Sequence, residues 1–157
     1  ISHGSDKKYY HDSIGYNYRM TDLAAAIGIE QLKKLPRFNQ IRKNNAIFLN
    51  ENLTSIKGII TPKITPHHVF HQYTLRITKE CKITREQIIK ELSENHIASS
   101  IFYPLPIHLQ KAYPEYHQQQ FPITEKISKE VLSLPIHPSL TQDDLTKIVE
   151  TLKKITE

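Results

Sequence analysis

Apolar and polar residues alternate most regularly between residues 69 and 78, and this alternation predicts a half-buried β-strand. One face of the predicted strand carries Val69, His71, Tyr73, Leu75 and Ile77, and the other carries Gln72, Thr74 and Arg76. Weaker patterns predict shorter strands at residues 58–61, 97–103 and 132–136. The chain is therefore expected to form a small sheet.

A long helical region is predicted ahead of these strands. Thr21 is the predicted N-cap, and Asp22 follows in the first turn, where a carboxylate meets the positive end of the helix. Pro36 is expected to end or kink this helix, and a second helix continues to about Leu53. Gly28 costs about 1 kcal/mol of helix propensity relative to Ala, which suggests tight packing around it.

Three shorter helices are predicted among the strands. The first begins after Thr84, and Gln87 three residues later gives the spacing of a capping box. The second begins at Pro122, and the third begins after Thr141, with Asp144 in the supporting position. Helices mixed with short strands in this way are typical of an α+β domain with its helices on one face of the sheet.

The predicted elements divide the chain into two parts. Residues 1–53 contain a polar, aromatic-rich loop followed by the long helix pair, and residues 54–157 contain the small α+β domain. The opening loop shows neither a helical nor a strand period. Tertiary contacts would therefore have to hold it in place.

Composition and charge narrow the function classes. The 157 residues are 38% hydrophobic and 24% charged, which is ordinary for a globular protein of about one domain. The formal net charge of +5 is spread along the chain without a nucleic-acid-binding signature, so no nucleic acid partner is expected. No apolar run is long enough to cross a membrane. The single cysteine, Cys81, excludes an intrachain disulfide and favours a cytoplasmic location.

Several kinds of reactive site find little support in the residues. His67, His68 and His71 are close in sequence, but a zinc site needs three or four converging ligands. The favoured interpretation of His71 is a buried, hydrogen-bonded strand histidine, and no metal site is expected. No histidine is tied locally to Cys81, no serine lies in a glycine-flanked nucleophile elbow, and four glycines form no phosphate-binding loop.

Two segments have side chains suited to ligand binding. The first is Gly15-Tyr16-Asn17-Tyr18-Arg19-Met20, directly ahead of the predicted helix N-terminus. Its amide, hydroxyl and guanidinium groups can bond phosphate or sugar oxygens, or they can bond one another in a capping loop. The second is Phe102-Tyr103-Pro104-Leu105-Pro106-Ile107-His108. It is either a ligand-contacting loop at a strand end or a surface turn that the prolines stiffen.

These two segments belong to a larger set of motifs that occur in a fixed order. The set is Tyr9-Tyr10-His11, Gly15-Tyr16-Asn17-Tyr18-Arg19-Met20-Thr21-Asp22, Ala25-Ala26-Ile27-Gly28, Gln31-Leu32, Tyr103-Pro104-Leu105-Pro106-Ile107-His108-Leu109-Gln110 and Leu132-Ser133-Leu134-Pro135-Ile136-His137-Pro138 with Leu140-Thr141. Over nearly all 157 residues the chain resembles the DegT/StrS family of sugar-nucleotide aminotransferases. The resemblance is specific because several motifs occur together at the family's spacing.

The resemblance implies the C-terminal part of a fold-type-I enzyme that depends on pyridoxal phosphate, with a small antiparallel-sheet domain. It implies transfer of an amino group from an amino acid, commonly glutamate, to a keto sugar on a nucleotide, usually by a homodimer. By the same resemblance, Asn17 binds the cofactor phosphate of the partner subunit, and Tyr16 and Arg19 contact the substrate. Tyr103 and His108 are expected near the substrate entrance.

The family's Schiff-base lysine has no counterpart in this chain. It precedes the position that matches Ile1, as do the acidic partner of the pyridine nitrogen and the ring that stacks on the cofactor. Pyridoxal chemistry needs a lysine in a prepared pocket, whereas Lys7 and Lys8 lie in a charged loop and are expected to be solvated. Since the chain also does not begin with Met, we expect a catalytically inactive part of a longer enzyme.

A hypothesis from another class stays open. The chain could be a stand-alone, non-catalytic module that reuses the small-domain fold to bind a nucleotide sugar or a partner protein. The coding sequence ahead of Ile1 distinguishes the two. A long upstream reading frame favours the enzyme, and a start codon at this position favours the module.

Overall fold

The computed structural model describes residues 4–156. Its regular elements are α1 (Asp22–Leu53), β1 (Ile59–Ile60), β2 (Tyr73–Ile77), α2 (Arg85–Glu94), α3 (Pro122–Glu130), β3 (Val131–Leu134) and α4 (Gln142–Thr156). Two 3-10 turns, Ile107–Leu109 and Pro114–Tyr116, lie between α2 and α3. The described residues form two compact units, one ending at Arg37 and the other beginning at Phe38. The division after residue 53 stays a prediction.

The three strands form one antiparallel sheet with β2 in the middle. Tyr73 of β2 pairs with Leu134 of β3, and Ile77 at the other end pairs with Ile59 of β1. Buried residues of β2 alternate with half-buried ones, as the period of two requires. The predicted α+β class with a small antiparallel sheet is thus confirmed. Its central strand is shorter than the strand predicted for residues 69–78.

The core of the second unit joins this sheet to the end of α1 and to α2 and α4. Its large, fully buried side chains include Leu49, Leu53, Phe70, Leu75, Ile88, Leu92, Leu132 and Leu152. A polar link crosses this core, because the Tyr73 hydroxyl donates to Asn50 Oδ1 at 2.7 Å and the Asn50 amide donates to the Pro62 carbonyl at 2.8 Å. Burial raises the pKa of Tyr73, so its hydroxyl stays protonated and continues to donate.

The first unit is described by itself, and it buries little apolar surface of its own. The carbonyl of Gly4 accepts from the N–H groups of Asp12 and Ser13, which closes an irregular loop ahead of α1. Large apolar side chains are exposed in this unit, and they are Tyr9, Tyr10, Ile14, Tyr16, Tyr18, Met20, Leu23, Ile27, Ile29, Leu32 and Leu35. Apart from the adjacent residues and nearby backbone of α1 itself, a Cβ on Gly28 would have no neighbour within 4 Å among the described residues, so the predicted tight packing is not found there.

The predicted helix pair is one continuous helix, because α1 passes through Pro36. A proline inside a helix removes one hydrogen bond, in this case the bond to the carbonyl of Leu32. Leu32 is exposed, so water can bond the released carbonyl. The helix therefore does not end at Pro36, and the alternative of a kink at this residue stays a prediction.

Two further local predictions also fail. Residues 97–103 form no strand, and Ser100 makes only an isolated bridge to Ser133 on the outer edge of β3. Pro104 and Pro106 follow directly and lack the N–H donors that a longer ladder needs. His71 is exposed and lies ahead of β2, so it is not a buried strand histidine.

Side-chain caps begin two of the three later helices, α2 and α4. Thr84 Oγ1 accepts from the Gln87 N–H, and the Gln87 side chain accepts from the Thr84 N–H, which confirms the predicted capping box. At α4 the Asp144 N–H donates to Thr141 Oγ1, and Asp144 Oδ2 accepts from the Thr141 N–H at 2.8 Å. The third helix, α3, begins at Pro122 as predicted, and the side chain of its N-cap residue, Phe121, forms no capping hydrogen bond.

Acid is expected to destabilise the chain through the carboxylates at these helix starts. Hydrogen bonds from backbone N–H groups hold the pKa values of Glu86, Glu125 and Asp144 below their usual range; the donors are Glu86 itself, Phe121 and Thr141. A lowered folded-state pKa means that the unfolded chain binds more protons. The stabilisation is complete above the unfolded pKa and is lost as pH falls through the folded pKa.

The measurement is the denaturation midpoint between about pH 5 and about pH 3. Asp144→Asn should reduce the fall in midpoint, because it removes one of the titrating groups. Asp143→Asn makes the same change one residue earlier on exposed α4 surface and serves as the control. Equal acid sensitivity in the wild type and in Asp144→Asn would contradict the assignment.

Candidate functional site

The first candidate segment lies at the surface immediately before α1. The rings of Tyr16 and Tyr18 stack with their centroids 5.4 Å apart, and both side chains are largely exposed. Between them, Asn17 Oδ1 accepts from the Arg19 N–H at 3.4 Å. The amide N–H groups of Asn17 are donors at this surface, ahead of the helix N-terminus.

The start of α1 explains this local arrangement. Thr21 Oγ1 accepts from the Ala24 N–H at 3.3 Å, and the Thr21 carbonyl accepts from the Ala25 N–H at 2.9 Å. Thr21 is thus the N-cap that the sequence predicted. Residues 14–20, just before this N-cap, have no regular secondary structure.

The two lysines near the start of the described chain are exposed. Lys7 Nζ lies 4.8 Å from the centroid of the Tyr10 ring, and Lys8 Nζ lies 4.9 Å from that of the Tyr9 ring. Each ammonium therefore rests against an exposed tyrosine at the surface. Neither lysine has the enclosed surroundings of a reactive amine.

The second candidate segment borders two recesses in the second unit. Tyr103 is 71% exposed and lines an apolar recess of about 510 Å³ with Phe102, Pro106, Ile127 and Val131. His108 is buried at 8% exposure and lines a neighbouring recess, also of about 510 Å³, with Tyr113, Tyr116 and Phe121. Ile107 and Thr124 line both. Tyr103 and His108 thus lie on adjacent recesses and do not share one.

A residue that the sequence reasoning missed contacts His108. Glu125 Oε1 lies 3.2 Å from His108 Nε2, and it also accepts from the Phe121 N–H at 2.9 Å. The Phe121 N–H, and after it His108 and Lys129, hold the pKa of Glu125 below its usual range. The available signal was the position of Glu125 in the first turn of α3, where carboxylates cap helix starts.

The other candidates are a metal site and the single cysteine. Among residues 4–156 no three histidine, cysteine, aspartate or glutamate side chains come together to hold a metal ion. Cys81 is half-buried. No helix in the described part of the chain combines the length and apolar character needed to span a membrane.

The sequence over residues 1–153 matches the model of the "DegT/DnrJ/EryC1/StrS aminotransferase family". The chain belongs to this family. This match confirms the family membership predicted from the two loop motifs and the closing segment. The family's cofactor is pyridoxal phosphate.

Of two similar proteins, one is named as a transaminase and the other as a regulatory protein. A protein of Aneurinibacillus thermoaerophilus named dTDP-3-amino-3,6-dideoxy-alpha-D-galactopyranose transaminase is 36% identical over 98% of this chain and 41% of its own length. A protein of Geobacillus stearothermophilus named pleiotropic regulatory protein is 38% identical over 96% of this chain and 41% of its own. The chain thus spans about two fifths of the length of these relatives.

A solved family structure agrees on the fold. The NtdA protein of Bacillus subtilis, solved with the cofactor PMP bound, superposes with a TM-score of 0.87 at 28% identity. The match covers 96% of this chain and 36% of that one. The described elements therefore correspond to part of a fold-type-I aminotransferase.

Proposed function

We propose that the full gene product is a pyridoxal-phosphate-dependent aminotransferase that converts a nucleotide-linked keto sugar into an amino sugar. Its proposed amino donor is an amino acid, glutamate in the first instance. The observation that carries the proposal is the family match over residues 1–153, and the transaminase name of the 36% identical relative supports it.

In this proposal the segment before α1 binds the cofactor and substrate. Asn17 donates its amide N–H to the cofactor phosphate of the partner subunit, and Tyr16 and Arg19 contact the substrate. An amide, a phenol and a guanidinium beside a helix start are a donor set that fits a phosphate. Bound pyridoxal phosphate supplies the electron sink for the amino transfer.

The second candidate segment serves the substrate entrance in the same proposal. Tyr103 is well exposed at the edge of an apolar recess, which suits a side chain that closes over a ligand. His108 is fixed and buried beside the aromatic recess, which suits a residue that orients a ligand. We place the reactive lysine outside the 157 residues, as the resemblance to the family implies, and this chain alone is expected to be inactive.

A homodimer is part of the proposal, because Asn17 acts on the partner's cofactor. Ile14 is 92% exposed and Tyr9 is 81% exposed, and an apolar surface of this kind calls for a covering partner. We expect the isolated chain to self-associate or to be poorly soluble. A stable, monodisperse 18.3 kDa monomer in light scattering would count against this expectation. The lone cysteine fits a cytoplasmic enzyme.

The proposed function is tested by assaying the full gene product with pyridoxal phosphate, glutamate and a panel of nucleotide-linked keto sugars. The expected result is an amino sugar formed in equal amount to 2-oxoglutarate. Omission of the sugar nucleotide is the control, and it should abolish sustained 2-oxoglutarate release. A full gene product that binds pyridoxal phosphate but aminates no sugar nucleotide would contradict the proposal.

One relative's name favours a second candidate function. The 38% identical protein is named as a regulatory protein, which fits a non-catalytic module that binds a nucleotide sugar or a partner protein. The assay above separates the two, since the module binds its ligand without turnover. A full gene product with no lysine-bound cofactor and no amination activity would favour the module.

A further inference from the structure

His108 and Glu125 form a contact that the proposed function has not used. The imidazole is buried, its Nε2 lies 3.2 Å from Glu125 Oε1, and the edge of the ring meets Phe121 with 4.8 Å between centroids. Glu125 lies in α3, seventeen residues further along the chain. A buried imidazole held on two sides has a defined orientation.

The contact fixes which nitrogen of His108 carries the proton. Glu125 is ionised at neutral pH, because the Phe121 N–H favours its charged form, and a carboxylate can only accept hydrogen bonds. The same oxygen that accepts from Phe121 also meets Nε2. Nε2 must therefore carry a hydrogen, which leaves the lone pair of the neutral ring on Nδ1.

Nδ1 of His108 is not fully enclosed by protein atoms. Every buried side-chain nitrogen or oxygen in residues 4–156 has a hydrogen-bond partner. The His108 side chain forms its hydrogen bond through Nε2, so Nδ1, which has no partner among these residues, cannot be fully buried. The ring lines the recess formed with Tyr113, Tyr116 and Phe121. A largely aromatic recess with a few placed polar groups is typical of a site that binds a small ligand.

The position of α3 is itself held by two arginines. Arg76 Nε of β2 donates to Glu130 Oε2 at 2.9 Å, and Arg85 Nη1 of α2 donates to the Ser128 carbonyl at 2.8 Å. Both bonds lie in the last turn of the helix. Since α3 is tied to the sheet and to α2, Glu125 meets His108 from a fixed direction.

We propose that Glu125 is a positioning residue that holds His108 with its proton on Nε2, so that Nδ1 accepts a hydroxyl group of the sugar substrate at the aromatic recess. This inference rests on the proposed function for the identity of the ligand. The orientation of His108 does not depend on it. Glu125 acts through His108 and touches no reacting atom.

The first test is ¹⁵N NMR of the imidazole nitrogens in the full gene product, with histidine labelled selectively, at a pH where histidine is neutral. We expect the ratio of the Nε2–H form to the Nδ1–H form to be about tenfold higher for His108 than for exposed His67 in the same spectrum. Glu125→Gln should keep this preference, because the Gln oxygen can accept from both the Phe121 N–H and Nε2–H. Glu125→Ala should bring His108 to the ratio of His67.

Glu150→Gln is the matched control, because it removes the same charge from an exposed position on α4. It should leave the His108 signals at their wild-type positions. A wild-type His108 with its proton on Nδ1 would overturn the inference. So would an unchanged Nε2–H preference in a folded Glu125→Ala variant.

The second test is steady-state kinetics of the full gene product. Glu125→Ala should raise KM for the nucleotide sugar about tenfold and leave KM for the amino donor unchanged, whereas Glu125→Gln should restore the wild-type value. An unchanged sugar KM in Glu125→Ala would overturn the substrate role. If the gene product aminates no sugar nucleotide, the substrate role falls with the proposed function, and the NMR result alone decides the positioning of His108.

Discussion

The Gly58→Ala variant should lose about 2–5 kcal/mol of unfolding free energy. Gly58 has φ of +82°, in the left-handed region where a side chain is strained. An ideal Cβ there would lie 2.1 Å from the backbone nitrogen of Cys81 and 2.4 Å from its Cα. Backbone atoms cannot rotate away as a side chain can, so the loop itself would have to move.

The displacement would also damage the sheet. The Gly58 carbonyl accepts from the Thr78 N–H at 2.8 Å, directly ahead of β1, and the Cys81 N–H donates to the Thr78 carbonyl at 3.0 Å. Moving either segment breaks the bond that joins the start of β1 to the end of β2. The measurement is equilibrium chemical denaturation of the 157-residue chain.

Gly28→Ala provides the matched control for this prediction. Apart from the adjacent residues and nearby backbone of α1 itself, a Cβ on Gly28 would meet no described atom within 4 Å, and the residue lies inside α1. The substitution should stabilise the chain by about 0.5–1 kcal/mol, because Ala has the better helix propensity. Equal stability changes in the two variants would contradict the description of the Gly58 turn.

The second large effect is expected from Asn17→Ala in the full gene product, which should weaken pyridoxal phosphate binding about 10–100-fold. A hydrogen bond to a charged phosphate contributes more than one between neutral groups, so its loss is costly. Asn17 Oδ1 already accepts from the Arg19 N–H, and its amide N–H groups are the donors assigned to the phosphate. The measurement is the dissociation constant of the cofactor by fluorescence titration.

Two further variants sharpen this result. Asn17→Asp keeps the size of the side chain but places a carboxylate beside the phosphate, so cofactor binding should weaken more than in Asn17→Ala. Asn44→Ala removes an exposed amide on α1 that bonds Gln40, and it should leave cofactor binding unchanged. Unaltered affinity in both Asn17 variants would retire the phosphate assignment.

Local chemistry made much of the fold predictable from the sequence. The alternation along β2 and the caps at Thr21, Thr84 and Thr141 depend on residues within a few positions of one another, and the structure contains each of them. The predictions that failed depend on the surroundings of a segment and not on its own residues. Pro36 is tolerated because Leu32, whose carbonyl it leaves without a helical partner, is an exposed residue that water can reach.

The candidate site was predictable only in part, for a related reason. The sequence indicates Tyr103 and His108 because they flank a proline loop, but nothing local indicates that they lie on separate recesses. The partner of His108 is Glu125, and α3 brings it there through bonds to Arg76 and Arg85. Contacts made through the packing of other elements leave no pattern in the segments that they join.

The most direct test of the proposed enzyme is borohydride reduction after incubation with pyridoxal phosphate, followed by peptide mass mapping. The experiment compares the full gene product with the 157-residue chain. We predict a reduced cofactor adduct on one lysine of the gene product that lies outside these 157 residues, and no specific adduct on the chain alone. A stable adduct on Lys7, Lys8 or any other lysine of this chain would contradict that assignment.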